Sequence, residues 1–121
     1  MTEKEAIELF EKDHFLQEQK DIEKDINDIT SILSRYPIDI EQVKAKIKKI
    51  NDDHSENIFL NRIVFPPQRT SSPGGYIPDQ DYINDLIWKR LYLQAKKSGK
   101  LFEEFCQEMR KLFSSEAIGG A

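Results

Sequence analysis

The sequence predicts an all-α fold, a small helical bundle of three to five helices in a single domain. Three observations predict it: apolar residues recur at helical spacing, capping side chains precede several of those segments, and proline or glycine follows them. The chain has 121 residues, of which 38% are apolar and 33% are charged. This balance favours extended helices, or a dimer that completes the core, over a sheet sandwich.

Four segments divide the predicted domain. Residues 1–65 are expected to form a helical hairpin, and residues 66–79 form a loop that contains four prolines and two glycines. Proline removes a backbone donor and glycine adds backbone freedom, so this segment cannot be regular structure. Residues 80–113 are expected to form C-terminal helices and residues 114–121 a flexible tail. We interpret the loop as a hinge or an exposed binding loop.

The first helix is predicted from about Thr2 to Tyr36, where Thr2 and Glu5 have the spacing of a capping box. Its apolar residues follow spacings of seven, four and three, which is typical of the seam of a coiled coil or bundle helix. Ile7 and Phe10 lie off this seam, so the first two turns are expected to bend or to face another partner. The seam consists of Phe15, Ile22, Ile26, Ile29, Leu33 and Tyr36.

Pro37 ends the first helix, because a residue before proline is biased away from α geometry. Asp39 is then expected to cap a second helix, and the short link between the two favours an antiparallel hairpin. The polar residues 51–55 predict a break or turn. Residues 58–65 contain enough β-branched side chains to form a strand. No partner strand is apparent, however, so a helix is favoured. The apolar stripe of the second helix is Ile40, Val43, Ile47 and Ile50.

Asp79 is the predicted N-cap of the next helical segment, with Asp81 in its first turn. Ser98 and Gly99 predict a helix stop. The residues on either side of Gly99 form either one long helix weakened there or two helices joined there. The second of these stretches has an apolar stripe of Leu101, Phe102, Phe105, Met109, Leu112 and Phe113.

The expected location is the cytoplasm, with no membrane partner. A single cysteine, Cys106, excludes an internal disulfide framework and favours a reducing compartment. The first residues are acidic and lack the apolar region of a signal peptide. No apolar run approaches the roughly 20 residues that span a bilayer.

No catalytic residue, metal site or cofactor is predicted, and we expect the protein not to be an enzyme. Glu11 and His14 share a helix face, but a di-iron bundle needs a second such motif and two further glutamates. Cys106 lies among acids that are expected to raise its thiol pKa and so to disfavour the thiolate. Those acids are Glu103, Glu104 and Glu108.

The leading functional hypothesis is a protein–protein interaction module, such as a small regulator, adaptor, inhibitor or immunity-type protein. Apolar seams in a chain this charged must be buried, either inside the bundle or against another chain. The partner is therefore another protein, or a second copy that associates through the helix seams. Because tyrosine and tryptophan anchor interfaces, the expected partner-binding residues are Tyr82, Trp88 and Tyr92.

The alternative is a nucleic-acid-associated regulator that uses residues 89–100, which carry five bases and no acid. Such bases suit phosphate contacts, and Ala95, Gly99 and Phe105 have the spacing of a helix-turn-helix motif. The net charge of −4, with −6 in residues 1–28, argues against a strong DNA binder. This alternative therefore ranks second. The five bases are Lys89, Arg90, Lys96, Lys97 and Lys100.

A helix, a loop rich in proline and glycine, and a further helix follow one another between residues 36 and 113. The order begins with Tyr36-Pro37 and a charged helix, and continues through Gly74-Gly75 and Pro78 to a helix from Asp81. It resembles the N-terminal half of phage late-operon transcriptional activators, over roughly two thirds of the chain. The resemblance implies a phage-type transcriptional regulator. The sigma-like DNA-reading domain that follows in that family has no counterpart in these 121 residues.

Overall fold

The computed structural model describes residues 1–12, 16–64 and 78–119, with side chains up to residue 111 except at 16–18 and 78. Within this part of the chain it has helices and no strand, which confirms the all-α helical bundle. There are six described helices, more than the three to five expected. They are α1 (Glu3–Lys12), α2 (Leu16–Ser34), α3 (Ile40–Asp53), α4 (Glu56–Val64), α5 (Pro78–Lys97) and α6 (Phe102–Gly119).

Within the predicted first helix the structure describes α1 and α2, and residues 13–15 between them, which include the predicted seam residue Phe15, lie outside the described part of the chain. The capping box is confirmed, because the backbone N–H of Glu5 donates to Thr2 Oγ1 at 3.2 Å, and the N–H of Thr2 donates to Glu5 Oε2 at 3.5 Å. α1 packs on α4 and α6, whereas α2 packs on α5 and α3. This confirms that Phe10, which is 1% exposed, faces a different partner from the seam.

The seam of α2 is buried at Ile22 and Ile29 and partly buried at Ile26 and Leu33. Its predicted last member, Tyr36, is 98% exposed. That assignment is wrong because α2 ends at Ser34, so Tyr36 lies in the connection to α3 and no longer follows the helical spacing. The peptide bond between Tyr36 and Pro37 is cis.

Asp39 caps α3 as the sequence predicts. Its Oδ1 accepts hydrogen bonds from the backbone N–H groups of Glu41 at 3.0 Å and Gln42 at 3.4 Å. Two of the donors that have no partner inside the helix are thereby satisfied. The cap fixes where α3 begins, and hence the short connection of residues 35–39 after α2.

Ion pairs show that α2 and α3 form an antiparallel hairpin. Lys46 Nζ lies 3.0 Å from Asp28 Oδ2 and 2.7 Å from Asp25 Oδ1. Lys49 Nζ lies 3.2 Å from the same Asp25 oxygen. The aspartate nearer the start of α2 pairs with the lysine nearer the end of α3, as antiparallel helices require.

The break at residues 51–55 is confirmed. α3 ends at Asp53, and the N–H of His54 donates to the carbonyl of Ile50 at 2.7 Å. α4 begins at Glu56 and continues to Val64, which confirms the helical interpretation of this ambiguous stretch. Its inward face contains Asn57 and Leu60, both fully buried.

The stop at Gly99 is confirmed, and α5 and α6 are separate helices. Gly99 has φ of 72°, in the left-handed region that glycine adopts without steric cost. The N–H of Gly99 donates to the Lys96 carbonyl, and that of Lys100 to the Ala95 carbonyl, both at 3.1 Å. This pair of bonds is a Schellman motif, which satisfies carbonyls at the end of α5.

Two predicted boundaries are wrong. α5 begins at Pro78, so Asp79 lies in its first turn and is not the N-cap. Proline is well suited to a first helical position, where no N–H is needed. α6 continues to Gly119, so the tail expected from Ser114 is helical for six further residues. The predicted loop at 66–79 lies, apart from its last two residues, outside the described part of the chain.

The six helices form two groups of three. We call α2, α3 and α5 unit A, and α1, α4 and α6 unit B, because each helix packs mainly on the others of its group. An aromatic cluster joins them. Phe10 of unit B lies 5.4 Å from Tyr92 of unit A, and Trp88 of unit A lies 5.9 Å from Phe105 of unit B, measured between ring centroids. The core is therefore continuous across both units.

Candidate functional site

One end of unit A presents two exposed tyrosines. Tyr36 lies in the connection after α2, and Tyr82, in the first turns of α5, is 40% exposed. Lys44 Nζ lies 5.0 Å from the centroid of the Tyr82 ring, so the start of α5 lies beside the start of α3. We call this surface, formed by residues 35–39, Lys44 and Tyr82, the turn end.

The predicted aromatic surface around Tyr82, Trp88 and Tyr92 is not formed. Trp88 is 2% exposed and Tyr92 is fully buried. Their rings stack with centroids 5.4 Å apart, at the centre of the cluster that joins the two units. Burying these large rings stabilises the core, so they are corrected from surface residues to core residues. Tyr82 alone of the three lies at the surface.

The predicted basic surface is also incomplete. Lys89 is 2% exposed and Lys96 is 1% exposed, so neither can reach a phosphate from this fold. Lys89 Nζ lies 2.8 Å from Asp85 Oδ1, one helical turn away. Lys97 lies 3.7 Å from Glu23 Oε1 on α2, and Lys100 forms an ion pair with Glu108. Arg90 is half-buried. Segment 89–100 is basic in sequence, but its charges are largely turned inward or paired.

The strongest electrostatic feature that the sequence did not reveal is a buried cluster around Glu56. Lys96 Nζ lies 2.6 Å from Glu56 Oε1, and the Tyr92 hydroxyl donates to the same oxygen. Lys96 Nζ also lies 3.0 Å from His54 Nδ1. Nothing in the sequence pairs residues about 40 positions apart, and only the fold brings them together.

The Glu56 cluster is suited to a structural role. Glu56 is 5% exposed and Lys96 is 1% exposed, so a substrate would have to displace packed core residues to reach them. The cluster connects the corner between α3 and α4 to the last turn of α5. It thereby fixes unit B against unit A with a directional contact, in addition to the apolar packing.

A groove lies between α2 and α3, on the surface of unit A. It has a volume of about 410 Å³ and is open along its length. Two of its lining residues, Lys46 and Lys49, form ion pairs with Asp25. The pKa of Lys49 is raised above its ordinary value. Hydrogen bonding to Asp53 raises it most, burial lowers it, and Asp25 raises it further. The residues that line the groove are Asp28, Ser31, Ile32, Arg35, Gln42, Ala45, Lys46 and Lys49.

The described residues contain no group of three or more His, Cys, Asp or Glu side chains that could hold a metal ion. His14, the partner of Glu11 in the predicted helix-face pair, lies outside the described part of the chain. Cys106 is buried, as expected of an inert thiol.

The pKa of Cys106 is raised, but not by the acids that the sequence suggested. Burial raises it most, nearby Arg110 lowers it, and Glu3 on α1 raises it. Glu103, Glu104 and Glu108 are not among the groups that shift this pKa. The direction of the shift is the expected one and its physical cause is different.

None of the helices in the described ranges is both long and apolar enough to cross a membrane. The chain was also compared with known proteins. No protein-family model, no curated protein and no solved structure matches it.

Proposed function

We propose that the chain is a non-enzymatic protein–protein interaction module that binds its partner through the turn end. The observation that supports this most directly is Tyr36, whose side chain is 98% exposed on a short connection between two helices. A large ring held in water by a folded scaffold gains apolar contact when a partner covers it. Tyrosine and arginine are among the residues that dominate binding energies, and Arg35 precedes Tyr36 in the same connection.

The turn end also has the local order that a binding surface needs. Asp39 caps α3 directly after the connection, and Lys44 lies over the Tyr82 ring. Tyr36 and Tyr82 are therefore presented from helix ends that are fixed in the bundle. Less backbone entropy is then lost on binding. A small regulator, adaptor, inhibitor or immunity-type protein would work in this way.

The test is quantitative capture of proteins from the native host, followed by affinity measurement with the purified partner. Wild type is compared with Tyr36→Ala, Tyr82→Ala and the double variant. We expect the partner's affinity to fall about tenfold or more for Tyr36→Ala, because a central aromatic residue is worth at least about 1.4 kcal/mol. Since Tyr36 is exposed, the fold and its melting temperature should be unchanged.

Leu101→Ala is the matched control. Leu101 is 55% exposed and lies beyond the other end of α5, away from the turn end. Its loss should leave partner binding unchanged. A partner that binds wild type and the double tyrosine variant equally well would contradict the proposal, as would failure to recover any specific protein.

A further inference from the structure

The residues that line the groove between α2 and α3 lie on two stripes with the same spacing. Each stripe follows the i, i+3, i+4, i+7 pattern of a single helix face. Two antiparallel helices with facing stripes of this kind form a channel that accepts further helices, as in a four-helix bundle. The α2 stripe is Asp28, Ser31, Ile32 and Arg35, the last of which directly follows the end of α2, and the α3 stripe is Gln42, Ala45, Lys46 and Lys49.

The two charges on the α2 stripe are arranged to complement a second copy of themselves. Asp28 and Arg35 are seven residues apart, which separates them by about 10 Å along the helix axis. The Asp28 side chain is 45% exposed although one oxygen binds Lys46, and Arg35 is exposed. When α2 of a second copy lies antiparallel over this stripe, each Arg35 faces an Asp28 of the other copy. A two-fold axis generates both pairs at once.

The centre of the groove suits the close approach that such packing needs. Ser31 on α2 and Ala45 on α3 both line the groove and have small side chains. Ile32 lies between the two charges on α2 and is only partly buried, so it has apolar surface still to cover. The contact would therefore cover the exposed part of Ile32 between the two charges of the α2 stripe.

We infer that the chain forms a homodimer in which the α2–α3 hairpins of two copies pack groove to groove as an antiparallel four-helix bundle. The two-fold axis crosses the groove at the level of Ser31 and Ile32. α2 then lies over α2 of the second copy, α3 lies over α3, and the two turn ends point in opposite directions. Arg35 belongs to both the groove and the turn end, but Tyr36 and Tyr82 do not line the groove, so this inference does not depend on the proposed function.

The test is the mass of the purified full chain, measured by analytical ultracentrifugation over a range of concentrations. Wild type should associate to a dimer. Arg35→Glu and Asp28→Arg should each weaken the dimer about tenfold or more, because each change replaces two attractions by two repulsions. An equimolar mixture of the two variants should restore the dimer, because glutamate at position 35 of one copy then faces arginine at position 28 of the other, and the second pair is the unchanged Asp28 with the unchanged Arg35.

Two further variants make the test independent of the stability of Asp28→Arg, which removes one of the partners of Lys46. Ala45→Arg places a large side chain in the groove and leaves every described ion pair intact, and it should abolish the dimer. Lys48→Glu, an exposed charge reversal on α3 outside the groove, is the matched control and should leave the dimer unchanged.

A wild-type chain that stays monomeric at every concentration would overturn the inference. So would a dimer that tolerates Ala45→Arg, or a mixture of the two charge variants that associates no better than either alone. Because this experiment uses one purified protein, its failure would leave partner binding through Tyr36 untouched. Failure of the partner experiment would equally leave the dimer untouched.

Discussion

Among single residues, Lys96 has the most constrained environment. Its ammonium group is 1% exposed and lies 2.6 Å from Glu56 Oε1. Glu56 is the first residue of α4 and Lys96 lies in the last turn of α5, so each charge is at the helix end whose dipole favours it. A buried ion pair of this kind is most important as a pair, because either charge alone in the core is strongly unfavourable.

Lys96→Met should therefore destabilise the protein by about 3–5 kcal/mol, since it leaves Glu56 buried without its ammonium partner. Glu56→Leu combined with Lys96→Met should cost clearly less than the two single changes added together, because neither charge then remains in the core. Urea unfolding curves measure both quantities. Lys97→Met, which removes a half-exposed lysine next in sequence, should change stability by less than about 0.5 kcal/mol. Equal losses of stability for Lys96→Met and Lys97→Met would contradict the buried, ion-paired environment of Lys96.

Cys106 gives a prediction on pH. Because burial raises the pKa of its thiol, the thiolate fraction near neutral pH is smaller than for an ordinary cysteine. Labelling by a disulfide reagent should be slow in the native protein, with a rate that rises at higher pH than in urea. The raised pKa contributes stability below the unfolded pKa, and this contribution is lost as pH rises through the folded one.

Two variants separate the causes of the Cys106 shift. Arg110→Gln removes the group that lowers the thiol pKa, so it should slow labelling further. Glu3→Gln removes a charge that raises the pKa, so it should speed labelling. A native labelling rate equal to that in urea would show that the thiol is not shielded.

Among the helices, α3 depends on the side chain that caps it. Asp39→Ala should destabilise the protein by about 1 kcal/mol, because Glu41 and Gln42 lose the acceptor for their N–H groups. Asp39→Asn should retain most of the stability, since the amide oxygen also accepts these bonds. Thermal or urea unfolding provides the measurement. Asp52→Ala, which removes an exposed carboxylate near the other end of α3, should cost less than about 0.5 kcal/mol. A larger loss of stability for Asp52→Ala than for Asp39→Ala would show that Asp39 does not cap α3.

The features of the helices that the sequence predicted correctly depend on residues close together in the chain. The capping box at Thr2 and Glu5, the cap at Asp39 and the stop at Gly99 each involve contacts within a few residues. Such contacts are chosen by the local backbone, so a pattern in the sequence is enough to reveal them.

The side chains that the sequence placed wrongly lie on α5, which is surrounded by other helices. Trp88 and Tyr92 are buried together with Lys89 and Lys96, so buried residues occupy most of its circumference. Helical periodicity cannot then separate an inner face from an outer one. Tyr82 remains exposed because it lies near the start of α5, beside Lys44. The groove between α2 and α3 also escaped prediction, because it depends on how the two helices align.

For the molecule as a whole, the contact between units A and B is the critical interface. Phe10 lies 5.2 Å from Phe105 within unit B and 5.4 Å from Tyr92 in unit A, between ring centroids. Phe10→Ala should cost about 3–5 kcal/mol, because it leaves a cavity where the units meet. Leu9→Ala, at a neighbouring residue that is 41% exposed, should cost much less.

Two probes can follow this interface during unfolding. Trp88, the single tryptophan, reports on the aromatic cluster, and far-UV circular dichroism reports on all helices. In wild type the two unfolding curves should coincide, because the units share one core. Equal losses of unfolding free energy for Phe10→Ala and Leu9→Ala would show that units A and B are not coupled through the aromatic cluster.

The order of the helices along the chain has a consequence for synthesis on the ribosome. Along the chain the helices alternate between the two units. α1 belongs to unit B, α2 and α3 to unit A, α4 to unit B, α5 to unit A and α6 to unit B. Neither unit is a continuous stretch of sequence, and unit A receives its third helix only when residues up to Lys97 have emerged. Until that point the nascent chain therefore has no finished three-helix group among these helices. Its apolar seams stay open during that time, so we expect the emerging chain to bind chaperones that recognise exposed apolar segments.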